Sequence, residues 1–204
     1  MSIGTPHYDS LPGFSPPSTL GPHRAADYWR LPEGEPVELI QGRLIVSPSP
    51  NDIHQTLSAL LTELLLRAAR QGGGRMFAAP MDVVLSDQSI VQPDLIYVAK
   101  DRRGIVKGRV NGPPDLIIEI LSRNDIRRDR VDKLNLYAQY GVPEYWIVDP
   151  DARQFDFLIN RDGRFEVQPQ QDDRYQSPRL AELAINLADF WAEVHRCIDD
   201  GPTA

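Results

Sequence analysis

The sequence has a single cysteine, Cys197, which excludes an internal disulfide and any cysteine-rich zinc site. It has no long apolar run of the kind that spans a bilayer, so no segment reads as a membrane helix. The opening stretch MSIGTPHYDSLPGFSPPSTLGPH lacks the charge-then-apolar layout of a secretory signal, and the expected location is the cytoplasm. Positive charge is also short. A net charge of −7 argues against a protein that coats nucleic acid non-specifically, because that affinity comes from many Lys and Arg contacts to phosphate. No internal repeat of solenoid length is visible.

What is present suits one globular domain. Of 204 residues, 41% are apolar and 25% charged, enough for a single good core. Residues 1–23 are rich in Pro, Gly and Ser without apolar periodicity and read as a flexible tail. The expected domain covers 24–197, and 198–204 is a second tail. The charge is uneven: Lys100 to Lys133 holds ten basic and six acidic residues, a local +4 that leaves −11 for the rest. Taken alone, such a cluster is a solvated loop and helix face.

Periodicity sets the elements. A short helix is expected over Arg24–Leu31, and PVELIQGRLIV reads as a hairpin turned at Gln41 and Gly42. Asn51 or Asp52 can cap a helix whose Ile53, Leu57, Leu60, Leu61, Leu64 and Leu65 form an apolar stripe, ended by QGGG. Strand-like segments follow at 75–85 and 93–99, then a basic loop and a strand from Asp115 to Leu121. A helix over about Arg127–Tyr140 turns Val131, Leu134, Leu136 and Ala138 partly inward and stops before Pro143. EYWIVDP is another apolar strand, QFDFLIN and RFEVQPQ a hairpin turned at Asp162–Gly163, and the end a short strand and a helix. Such mixed strands and helices predict an α/β layer structure.

One residue breaks the pattern. The run DLIIEIL suits a strand covered on both faces, yet it contains Glu119. A buried ionised carboxylate costs several kcal/mol unless paired with a cation, protonated or bound to a metal. Asp94, in VQPDLIYVAK, would meet Glu119 if the two strands are neighbours, and a bound Mg²⁺ makes such a carboxylate pair favourable. The alternative is structural: Asp94 and Asp115 cap strand starts, and Glu119 pairs with Arg127 or Arg128. Lys133 weighs toward chemistry, because helical spacing sets it with Arg130 and Tyr137 on the helix after the Glu119 strand.

The ordered set ELIQGRLIV, NDIHQ, MDVVL, VQPDLIYV, PPDLIIEILS and RDRVDKLNLYAQYGVPEYWIVDP resembles the Uma-type restriction endonuclease family, a branch of the PD-(D/E)XK nucleases. The similarity covers roughly residues 24–197. It implies a mixed central β-sheet flanked by helices, a restriction-endonuclease-like core with an added N-terminal hairpin, and a divalent-metal site at the sheet's open edge. Asp94 matches the PD aspartate and Glu119 the acid of (D/E)XK; both would bind Mg²⁺ or Mn²⁺, with the carbonyl of Ile120 as third protein ligand. The motif lysine's position holds Leu121, and Lys133 is the matching residue displaced to the next helix. Glu38 and His54 match further catalytic positions, and Asp82 a supporting acid; a lone His at a helix start is also an ordinary structural group. Tyr137 is, with Asp82, a candidate supporting residue of the site, although it and Trp146 also read as core or wall residues.

The expected activity is hydrolysis of DNA phosphodiester bonds. Arg102, Arg103, Lys107, Arg109, Arg127 and Arg128 are the candidates to grip the backbone. A rival from another class is an inactive nuclease-like scaffold that binds DNA or a partner protein. A glycosidase with paired carboxylates would need an aromatic sugar cleft, and Trp29, Trp146 and Trp191 are scattered along the chain. Apolar residues of EYWIVDP and the next hairpin are the expected face for a homodimer, which would suit cutting both strands.

Overall fold

The alternation in VELI and RLIV closes the expected hairpin: β1 (Val37–Ile40) runs antiparallel to β2 (Arg43–Val46). Gln41 and Gly42 between them are both at positive φ, the backbone whose twist matches a two-residue hairpin. The computed structural model describes residues 21–32, 34–47, 49–122 and 128–199. Helix α1 (Ala25–Tyr28) precedes the hairpin, and the backbone N–H groups of Gly21 and His23 donate to the carbonyls of Gln41 and Gly42.

Asn51 caps α2 (Asp52–Gly72) by accepting from the His54 N–H at 2.9 Å, and Gly73 ends the helix in the left-handed conformation. Asn51→Ala should lower stability by about 1 kcal/mol in urea titration. An unchanged midpoint would show that the side chain contributes nothing to the cap.

The segment 75–85 is two strands rather than one, β3 (Arg75–Ala78) and β4 (Val83–Ser86), separated by a cis Ala79–Pro80 bond. Then come β5 (Ser89–Val91), β6 (Leu95–Val98), a 3₁₀ segment at Lys100–Ile105, β7 (Val110–Asn111) and β8 (Leu116–Ile120). The helix expected over Arg127–Tyr140 divides into a π-helical turn, Arg128–Lys133, and α3 (Leu134–Gln139). Leu136 and Ala138 are buried as expected, whereas Val131, on the wider π turn, faces solvent. The chain ends with β9 (Glu144–Asp149), β10 (Gln154–Arg161), β11 (Arg164–Val167), β12 (Arg174–Gln176), β13 (Ala184–Asn186) and α4 (Leu187–Asp199).

Six strands form the central mixed sheet in the order β11-β10-β9-β8-β6-β3, with β8 and β9 parallel. The N-terminal hairpin is not a bare addition: it joins β5, β4 and β7 in a second sheet, β2-β1-β5-β4-β7. Side chains alternate across β8. Leu116, Ile118 and Ile120 pack with Leu57, Leu61 and Leu65 of α2. Ile117 and Leu121 pack on the other face with Leu136 and Tyr137 of α3 and with Val83, Val91 and Val110 of the second sheet. Glu119 shares the parity of Ile117 and Leu121, so it points into the layer between the central sheet, α3 and the second sheet.

The expected dimer face requires correction. Tyr145, Trp146, Ile147 and Val148 of EYWIVDP are buried in the chain's own core, because β9 lies between β8 and β10 with both faces covered. In the following hairpin Phe155, Phe157, Leu158 and Ile159 are buried as well, and Val167 is the large apolar residue that stays exposed.

Candidate active site

The register of β6 on β8 sets Leu95 opposite Ile118, and continuing it by one residue brings Asp94 opposite Glu119. Asp94 Oδ2 accepts the Ile120 N–H at 2.7 Å and lies 3.2 Å from His54 Nε2. The capped first turn of α2 thus aims His54 at the same carboxylate that β8 orients. Glu119 is 3% exposed and its partner is Lys133: Nζ lies 2.8 Å from Glu119 Oε1 and 3.0 Å from Glu38 Oε1. Lys133, at the end of the π turn, is itself 2% exposed. Turns of this type are frequent at functional sites. The Tyr137 hydroxyl, one helical turn on, donates to the same Glu119 oxygen at 2.7 Å.

Two carboxylates and one ammonium in a dry layer form an expensive arrangement. Desolvation of buried ion pairs often cancels their attraction, so the cluster is not explained by stability. Burial, reinforced by the charges of Glu119 and Glu38, pushes the Tyr137 hydroxyl well above the usual tyrosine range. It therefore remains a hydrogen-bond donor at any physiological pH. Leu121, at the position of the motif lysine, is buried among apolar neighbours and takes no part.

Glu38 is reached from β1, where its parity with Ile40 turns it toward the central sheet. Glu38 Oε1 also accepts the Gln92 N–H at 2.8 Å, while Oε2 is buried without a hydrogen-bond partner among the described residues. Gln92 extends the network: its side-chain amide donates to Tyr28 Oη at 3.1 Å and to Asp82 Oδ1 at 3.0 Å, and Tyr28 Oη donates to Asp82 at 2.8 Å. Burial, then Asp82, raise the Tyr28 hydroxyl above its ordinary range. Asp82 therefore meets the acid–lysine cluster through Gln92. Sequence reasoning missed Gln92 and Tyr28; the one signal was the position of Gln92 two residues before Asp94.

The basic residues divide. Arg102 binds Asp115 at 3.0 Å and the Pro113 carbonyl at 2.7 Å, and Arg103 donates to the Gly74 carbonyl at 3.1 Å. Asp115 also accepts the Ala99 N–H, so it ties β6 to the start of β8 as the structural reading expected. Asp115 is at the opposite end of those strands from Asp94, about 13 Å away at the usual rise per residue. Lys107 is exposed, and Arg109 stacks on Trp29 with its Cζ 3.9 Å from the ring centroid. Arg127 and the side chain of Arg128 lie outside the described residues, so a pairing of either with Glu119 does too.

A further buried carboxylate, away from the acid–lysine cluster, was not anticipated. Glu144, at the start of β9, is fully buried and accepts from Trp146 Nε1 at 2.7 Å, Tyr175 Oη at 2.8 Å and Ser177 Oγ at 2.6 Å. Its signal was the one that exposed Glu119, an acid in an apolar strand. The register sets it opposite Leu116, far from Glu119 along β8.

Among the described residues, no three His, Cys, Asp or Glu side chains gather closely enough to hold a metal alone, and no helix is long and apolar enough to cross a membrane. No curated protein matches the chain. A solved structure with the same fold is described as "a putative nuclease" from Anabaena variabilis; it is 22% identical, covers 87% of this chain and 99% of its own, and superposes with a TM-score of 0.70. The Uma2 family model, whose description reads "Putative restriction endonuclease", matches residues 25–188, the span that carries α1, both sheets, Asp94, Glu119 and Lys133. On that match this chain belongs to the Uma2 family.

Proposed function

We propose that this chain is a Mg²⁺-dependent endonuclease that hydrolyses phosphodiester bonds in DNA. The observation that carries the reading is the ion pair of Lys133 with Glu119, 14 residues apart, which rebuilds an acid–lysine pair from two successive elements. The donor set suits a hard cation. Asp94, Glu119 and the Ile120 carbonyl supply oxygen only, and Mg²⁺ is typically held by one or two carboxylates with water and substrate phosphate completing the shell. The buried Glu38 Oε2, without a protein donor among the described residues, adds a further oxygen acceptor to the same layer.

The bound ion would act as Lewis acid on the phosphate and lower the pKa of a coordinated water. The chain's own groups do the rest. Ile120 N–H and His54 hold Asp94 in one orientation. Lys133 presents a positive charge beside Glu119, where negative charge grows on the phosphate in the transition state. Tyr137 keeps a hydroxyl proton directed at Glu119 Oε1, so that oxygen remains an acceptor in one fixed geometry. His54, a partly exposed side chain with Nε2 beside Asp94, is the group suited to take or return a proton.

The test is calorimetric titration with Mn²⁺ and Mg²⁺, paired with cleavage of plasmid DNA. Wild type should bind, and Asp94→Asn and Glu119→Gln should each lose both the binding heat and the cleavage while melting like folded proteins. Absence of metal binding and cleavage in wild type, with DNA or a phosphate analogue present, would overturn the nuclease reading and leave an inactive scaffold.

A further inference from the structure

Trp29 is 41% exposed at the C-terminal end of α1, a large aromatic surface left on the outside of the fold. Its ring edge rests on Tyr28, with centroids 4.8 Å apart and planes at 85°. The Arg109 guanidinium lies over its face, 3.9 Å from the centroid. Only the backbone carbonyl of Arg109 is engaged in hydrogen bonding, from Lys107 and Asn111, so the guanidinium donors have no protein acceptor among the described residues. The pair is joined to the candidate site by a chain of hydrogen bonds. Tyr28 bonds Asp82 and Gln92, the Val110 N–H next to Arg109 donates to the Asp82 carbonyl at 2.9 Å, and Gln92 reaches Glu38.

We infer that Trp29 and Arg109 form a stacking platform for an unpaired nucleobase, so that the substrate strand crosses it in single-stranded form. The inference rests on the nuclease reading and deepens it. A planar guanidinium on an indole offers a π-surface and free donors together, the combination that binds single strands through base stacking and phosphate contact. The charge distribution favours this source of affinity. Lys133 is buried between carboxylates and Arg102 is committed to Asp115, so neither is available to grip phosphate, and the net charge is −7. Duplex DNA keeps its bases stacked on each other and has none to spare for the indole.

The test uses the full chain with labelled oligothymidylate and a duplex of the same length, read by fluorescence anisotropy without metal so that nothing is cut. Trp29→Ala should weaken oligothymidylate binding roughly tenfold and change duplex binding by less than about twofold. Arg109→Lys keeps the charge but not the plane, and should weaken the single strand nearly as much as Arg109→Ala. In addition, oligothymidylate should quench the tryptophan emission of wild type, and Trp29→Phe should remove most of that quenching, since Trp146 is buried and Trp191 packs on Phe155 and Phe190 in the separate cluster on the α2 side of the central sheet. Equal affinities for wild type and Trp29→Ala, or equal weakening toward both DNAs, would overturn the platform. Loss of self-association in Trp29→Ala with oligothymidylate binding intact would overturn it too, in favour of a contact between copies. A wild type that cuts DNA in Mg²⁺ yet ignores Trp29→Ala would defeat this inference alone; one that neither binds nor cuts DNA would defeat the nuclease reading as well.

Discussion

Lys133→Met should lower stability by about 3–5 kcal/mol and cleavage by at least about a hundredfold. The substitution keeps most of the side-chain volume and removes the ammonium that bridges Glu38 and Glu119, which are 1% and 3% exposed. Losing one partner of a buried ion pair is far more costly than losing all of them, because the remaining charge has neither water nor partner. The triple variant Glu38→Gln, Glu119→Gln, Lys133→Met should therefore recover most of the lost stability in urea titration. It should recover no cleavage. If the single variant melts like wild type, the ammonium does not neutralise these carboxylates; if the triple variant cuts DNA, the cluster is not the site.

Glu144→Ala should be similarly damaging, about 3–5 kcal/mol, by a different route. It leaves the donors of Trp146, Tyr175 and Ser177 without their acceptor in the core, each a buried polar group that has lost its partner. Glu144→Gln should cost less, since the amide oxygen still accepts from Trp146 and Tyr175. The pH dependence separates the two forms of this residue. Burial raises the Glu144 carboxyl above its ordinary range, against the pull of the Ser177, Trp146 and Tyr175 hydrogen bonds and the charge of Arg179. A raised folded value means the folded protein holds the proton more tightly than the unfolded chain does. The stabilisation this provides is complete below the ordinary carboxylate range and is lost as pH rises through the folded value. Wild-type stability should thus lose a component over that window that Glu144→Gln lacks. Parallel curves for the two proteins would show that Glu144 does not titrate there. Because Glu144 lies at the far end of β8 from Glu119, Glu144→Gln should bind Mn²⁺ as wild type does.

The elements were legible where periodicity is strong. The leucine stripe of α2, the Gln41–Gly42 turn and the alternation of β8 each state their own structure, because burying one face imposes a spacing on the chain. The split of 75–85 into two strands was not, since both halves are equally apolar and the division lies in how each pairs: β3 with β6, and β4 with β5 and β7. Nor was the second sheet, whose five short strands come from distant parts of the chain.

The candidate site shows the same division. An acid inside an apolar strand marks itself in any listing of residues, because the desolvation of a carboxylate has no local remedy; that much of Glu119 was determined by the sequence. Which cation answers it was not. Arg127, Arg128 and Lys133 are all near in sequence, and only the π turn and the register of α3 against β8 decide that Lys133 pairs with both Glu119 and Glu38. Helical spacing set Tyr137 beside Lys133, but its bond to Glu119 and the part played by Gln92 were not legible, for the same reason. A hydroxyl or an amide is ordinary in composition and acquires meaning from the atom 3 Å away, and that neighbour is chosen by the packing of β1, β5, β8 and α3, contacts long in sequence that no local pattern encodes.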